Sequence, residues 1–119
     1  MVKSSAQWLN WRQFNSLRKA IAWSPAAEGV YAFGRRQGAK GLPMNFEWAY
    51  IGRSDNLRTR LNQHQIQLEK NSGLWRWFSE NPESLEVWLA LSSNSRRDEA
   101  DLIRQIEPLT NKIRYIGAA

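Results

Sequence analysis

Cysteine is absent from the 119 residues. Disulfides, thiol chemistry and cysteine-based zinc sites are therefore excluded, and an intracellular, cytoplasmic setting is expected. Histidine occurs once, at His64. No apolar run approaches the roughly 20 residues of a membrane span, and the first twenty residues lack the apolar centre of a signal peptide. Repeats, linkers and low-complexity tracts are also missing. Acidic charge is scarce beside basic charge: 11 Asp and Glu stand against 17 Lys and Arg, a net charge of +6.

The surplus is carried by arginine, twelve residues against five lysines. Arginine presents a planar fork of donors that matches phosphate, so a small Arg-rich domain points to nucleic acid. Hydrophobic residues at 42% and charged residues at 24% are ordinary globular proportions. A chain of this length forms one domain, 1–119, with its own core.

Helical spacing of Trp8, Trp11, Leu17, Ala20 and Ile21 predicts an N-terminal helix over about 5–23, ended by Ser24-Pro25. Residues 29–34, GVYAFG, read as a strand, followed by a loop holding Gly38, Gly41 and Pro43. Residues 45–52, NFEWAYIG, read as a second strand, with Phe46, Trp48 and Tyr50 on one face and Glu47, Ala49 and Ile51 on the other. The two strands form an antiparallel hairpin with a long basic tip. Ser54 or Asp55 caps a helix to about Lys70, and 74–79 is a short aromatic helix. Residues 84–91 make a third strand with Leu85, Val87, Leu89 and Leu91 on one face. Ser95 and Asp98 open a last helix to Glu107. The expected fold is α+β, a small three-stranded, mainly antiparallel sheet flanked by helices.

Three features exceed what a core requires. Tyr31 and Tyr50 lie on neighbouring strands beside Gly29 and Gly52, and glycine allows close approach of a ligand or backbone. Arg60 and His64 stand four residues apart, one helical turn, and neutral histidine can accept a proton near pH 7. Glu99 heads the apolar stripe of Leu102, Ile103 and Ile106, where a carboxylate needs an arginine partner or a cation such as Mg²⁺.

GVY at 29–31, YIG at 50–52, then Arg60, His64, Glu99 and Asn111 together resemble the GIY-YIG nuclease superfamily in order and mostly in spacing. The strings YIGRSDNLRTRLNQH and EADLIRQIEPLTN are similar to its second motif and its acidic-helix motif. The nearest pattern is the N-terminal nuclease domain of the excision-repair members of that superfamily. The resemblance covers Pro25 to roughly Ile113. One departure is the nineteen-residue interval from Tyr31 to Tyr50, longer than usual, which makes the hairpin tip an insertion.

The resemblance implies a divalent-metal-dependent DNA endonuclease leaving 5′-phosphate and 3′-hydroxyl ends. It makes Glu99 the ligand of one Mg²⁺ or Mn²⁺ and Arg60 the stabiliser of transition-state charge. Tyr50 would orient or deprotonate water, with His64 as proton acceptor; either of the two could be the base. Tyr31 would hold the water or His64, and Asn111 would fasten the C-terminal segment, while Gly29 and Gly52 serve the motif structure. Arg35, Arg36 and Lys40 at the hairpin tip, with Arg53 and Arg58, are expected to contact DNA backbone. Most of the seven tryptophans are core, but Trp75-Arg76-Trp77 is the best candidate for stacking on bases. Whether the DNA is single-stranded, duplex or branched stays open. No appended DNA-binding domain is evident, so a targeting protein or a homo-oligomer is a candidate partner, and a membrane is not. A non-catalytic nucleic-acid-binding module of the same fold is the alternative, or a nuclease subunit that depends on a targeting partner.

Overall fold

The structure is a computed structural model and describes residues 9–39, 42–67 and 85–108. Its elements are β1 (Arg12–Phe14), α1 (Leu17–Trp23), β2 (Gly29–Ala39), β3 (Leu42–Ser54), α2 (Leu57–Gln67), β4 (Leu85–Leu91) and α3 (Ser95–Ile106). The fold is α+β around a four-stranded antiparallel sheet in the order β1-β4-β2-β3. No helix among the described residues is long and apolar enough to cross a membrane.

The fourth strand corrects the N-terminal expectation. Instead of a helix over 5–23, Arg12–Phe14 pairs with β4 through Arg12–Leu89 and Phe14–Val87, and the helix begins only at Leu17. Its starting signal is Ser16, whose side chain accepts the Lys19 N–H. Aromatic packing overrides the helical spacing upstream. Phe14 lies 5.6 Å from the Trp23 ring, and the Arg12 guanidinium sits 4.8 Å above it.

The sheet separates two apolar layers. Leu17 and Ala20 of α1 and Leu57 and Leu61 of α2 pack with Tyr31, Phe33, Tyr50, Val87 and Leu89 on one face. On the other, Leu102 and Ile106 of α3 meet Ala32, Trp48, Ile51, Trp88 and Trp11 around an apolar cleft of about 190 Å³. Leu91 does not join the first layer; it is 52% exposed at the strand end, opposite Gly29.

Strict alternation fails in β3. Phe33 pairs with Tyr50 but Gly34 pairs with Trp48, so Ala49 is the extra residue of a bulge. Phe46 and Trp48 therefore occupy the α3 face with Trp88, while Tyr50 turns to the α1–α2 face. The segment expected as a loop continues the β2–β3 ladder out to Ala39 and Leu42, through a second irregularity after Gln37.

The caps also differ from expectation. Asn56 rather than Ser54 or Asp55 accepts the Thr59 N–H at the start of α2. At α3 the N-cap is Asn94, which makes no side-chain cap bond, and the Asp98 carboxylate accepts from the Ser92 hydroxyl. Glu107 ends α3 in the left-handed region, with φ 53°, before buried Pro108.

Candidate active site

Two strands and one helix gather Tyr31, Tyr50, Arg60 and His64. Helix α2 hangs from the segment before β2: Ala27 accepts the Leu57 N–H, Pro25 accepts the Arg58 N–H, and Ser24 accepts Arg58 Nε at 2.8 Å. Leu57 and Leu61 are fully buried, and His64 follows them on the same helical stripe into the core. There the Tyr31 hydroxyl and His64 Nε2 are hydrogen-bonded at 2.7 Å. The imidazole stands edge-on to three rings, with centroids 5.3 Å from Tyr31, 5.4 Å from Phe33 and 5.5 Å from Tyr50. The two tyrosine rings lie 6.1 Å apart.

Gly52 is what lets Tyr31 reach across. It pairs directly opposite Tyr31, and a Cβ there would come within 2.5 Å of Tyr31 Cζ and 2.9 Å of Tyr50 Cε2. Gly29 has a comparable reason, since a Cβ would lie 2.6 Å from Leu57 Cδ1, at the start of α2.

Burial raises the Tyr31 phenol well above its ordinary range, and Tyr50 pushes the same way, against the opposing pull of Arg60. Tyr31 is thus held as a neutral phenol, hydrogen-bonded to Nε2. For Arg60, burial acts downward, but the pull of both phenols outweighs it and its pKa rises. A permanent cation beside two phenols and an imidazole can move a proton and offset negative charge in one place.

Glu99 is half-buried on α3, the helix of the opposite sheet face, one turn beyond Ser95. Ser95 fixes that helix. Its N–H and hydroxyl both donate to Glu28 Oε2, at 3.0 and 2.7 Å, and its Oγ accepts Arg53 Nε at 2.8 Å. The two bonds from Ser95 lower the Glu28 pKa, aided by Arg53 and Arg96. The sequence marks Ser95 only as a helix start and does not join it to Glu28; the available signal is a lone acid directly before the GVY motif.

Arg53, expected on DNA, has its side chain only 17% exposed and pairs with Asp55 besides Ser95. Arg35 pairs with Glu47 at 3.0 Å, and Arg36 pairs with Glu86 at 2.7 Å across to β4. Arg58 is exposed at the start of α2. Lys40, Trp75, Arg76, Trp77 and Asn111 lie outside the described residues.

Among solved structures, the chain is similar to the GIY-YIG N-terminal endonuclease domain of UvrC from Thermotoga maritima. A point mutant of that domain, bound to its catalytic divalent cation, is 29% identical over 79% of this chain and 92% of that one, with a TM-score of 0.51. A second cation-bound point mutant is 27% identical over 79% and 93%, with a TM-score of 0.50. The magnesium-bound domain is 29% identical over 79% and 93%, with a TM-score of 0.48. No family model and no curated protein matches the chain.

Proposed function

Because the chain is related to the GIY-YIG endonuclease domains, we propose that it hydrolyses phosphodiester bonds in DNA with the help of a divalent cation, leaving 5′-phosphate and 3′-hydroxyl ends. The observation that carries this reading is the cluster in which Arg60 reaches both phenols while Tyr31 and Tyr50 enclose His64.

The donor set suits Mg²⁺ or Mn²⁺ bound through few protein atoms. Among the described residues no three His, Asp or Glu side chains come together as a cage. A hard cation of this kind keeps waters and takes one carboxylate plus substrate phosphate oxygens. Glu99 would be that carboxylate. When bound, the cation supplies charge compensation at the phosphate and at the departing 3′-oxygen.

The remaining work falls to the side chains. Arg60 neutralises the charge that grows on the phosphate oxygens, and a cation preorganised inside the fold is more effective than a solvated one. Tyr50 orients the attacking water, and the proton released from it passes toward His64. Tyr31, kept neutral by burial, holds the imidazole through Nε2 and fixes its orientation. Gly52 keeps the phenols in that arrangement by leaving room for them.

The test is one set of incubations with single-stranded, duplex and branched DNA, with and without Mg²⁺ or Mn²⁺. Metal-dependent cleavage with ends that a ligase accepts supports the proposal. Intact DNA under every combination refutes it.

A further inference from the structure

The hairpin arginines share their charge with carboxylates, Arg35 with Glu47 and Arg36 with Glu86. Arg104 is likewise paired with Asp101, and Arg53 with Asp55. Arg58, Arg96 and Arg97 differ. All three are exposed, and none forms an ion pair among the described residues.

Their helices also start from one place, although α2 and α3 cover opposite faces of the sheet. Both helices begin against residues 24–28, the approach to β2. Arg58 holds the Ser24 carbonyl through Nε, which leaves the outer guanidinium nitrogens to other partners. Ser95 binds Glu28, and Arg96 follows it closely enough to act electrostatically on that carboxylate. The acids of this region are already engaged: Glu28 by Ser95, Asp55 by Arg53, and Asp98 by Ser92. Three cations therefore stand over a neutralised base.

We infer that Arg58, Arg96 and Arg97 form a rim that grips the DNA backbone beside the cut, an inference that rests on the nuclease reading above. The rim lies at the end of the sheet where Gly29 pairs with Ser54, two residues along the strands from the Tyr31–Gly52 pair. At about 3.3 Å per strand residue this is about 7 Å. One DNA strand advances about 3.4 Å per nucleotide, so the rim meets phosphates one to two nucleotides from the reacting one. Phosphate contacts set position without reading sequence, which fits exposed guanidinium groups that have no aromatic partner among the described residues.

The experiment measures affinity for a labelled 20-mer duplex by fluorescence anisotropy across a sodium chloride series, with chelator present to prevent cutting. Three full-length variants are compared with wild type: R58A/R96A/R97A, the lysine version R58K/R96K/R97K, and R18A/K19A/R104A, which removes the same charge elsewhere. Each lost duplex contact flattens the slope of log K against log salt by about 0.9, so the first variant should lose about 2.7. The lysine version should keep most of the slope, and the relocated control should lose less than one contact's worth. Equal flattening in the rim variant and the control overturns the inference, and so does a folded lysine variant that binds as weakly as the alanine one. Should Arg58→Ala disturb the fold through its Ser24 bond, R96A/R97A alone must flatten the slope by about 1.8. Wild-type protein that cleaves DNA but keeps its slope in the rim variants refutes the rim alone. Wild-type protein that neither binds nor cleaves DNA refutes the nuclease reading, and the rim with it.

Discussion

Substituting Gly52 by alanine adds one methyl group at the most crowded point of the site. The new Cβ would sit 2.5 Å from Tyr31 Cζ and 2.9 Å from Tyr50 Cε2, against an ordinary carbon contact of about 3.5–4.0 Å. Neither neighbour is the loose end of a flexible side chain. Both rings are nearly or fully buried, and Tyr31 is tied to His64. The collision must be relieved by turning Tyr31 off its position, by bending β3 away from β2, or by both. Overpacking of this kind costs about 1–3 kcal/mol. For a domain of this size a kcal/mol corresponds to about 4 °C, so the melting temperature should fall by about 4–12 °C. Activity should fall much further, because a displacement of about 1 Å in the catalytic groups costs about 10²-fold. The assays are thermal unfolding by circular dichroism and single-turnover cleavage at saturating DNA. Adding Tyr31→Phe should not rescue the variant, since a ring carbon as well as the hydroxyl meets the methyl group. An alanine variant that melts within about 2 °C of wild type and cuts at near wild-type rate would show that Tyr31 and Tyr50 do not depend on this glycine.

Glu99→Gln should abolish cleavage in Mg²⁺ and Mn²⁺ while DNA affinity stays within a few-fold; a folded Gln variant with near wild-type rates would remove Glu99 from the metal position. Arg60→Ala should lower the single-turnover rate at saturating DNA far more than affinity, because its charge matters most in the transition state. Tyr50→Phe and His64→Ala should each be severe, and the double variant no worse than the poorer single, since groups that relay one proton act as a unit; multiplicative losses would argue against the relay. Tyr31 carries a pH signature. Its folded-state pKa is raised, so above the ordinary value of 10.0 the unfolded chain releases a proton that the folded chain keeps, and stability falls as pH rises past that point. Urea titrations at stepped alkaline pH should show this loss in wild type and a smaller one in Tyr31→Phe.

Much of the architecture can be read from residue patterns, and the failures have physical causes. The strand at 29–34 announces itself as a β-branched and aromatic run and the one at 84–91 through alternating apolar residues, and the stretch from Leu57 to His64 carries a helical stripe. The α3 stripe is equally plain. What periodicity cannot register is an event of one residue or a preference decided by distant partners. Arg12–Phe14 becomes a strand because β4 offers an open edge and Trp23 offers a ring, both remote in sequence. The bulge at Ala49 leaves no mark in composition, yet it sends Trp48 and Tyr50 to opposite faces. The cluster of Tyr31, Tyr50, Arg60 and His64 is legible because motif order places its members, while its internal bonding is not. Surface charge is the least legible property. A run such as Arg35-Arg36 looks basic until Glu47 and Glu86, from two other strands, are seen beside it.

The bulge at Ala49 also acts as a phase correction in the β2–β3 hairpin. Outward from it, Phe46 and Trp48 keep step with Trp88; inward from it, Tyr50 keeps step with Tyr31 and His64. The inner and outer halves of the hairpin are thus counted separately. Lengthening or shortening the outer half by whole residue pairs would leave the tyrosines facing His64, so that half is free to vary in reach with the chemistry held constant. Deleting Ala49 itself would close the ladder to strict alternation, with Trp48 next to Tyr50, still opposite Gly34 and Phe33 and still on the other face. A single residue added or removed on the outer half of β3 alone would instead carry Phe46 and Trp48 out of step with Trp88. In this hairpin, residue number between the strands positions the two aromatic sets as much as residue type does.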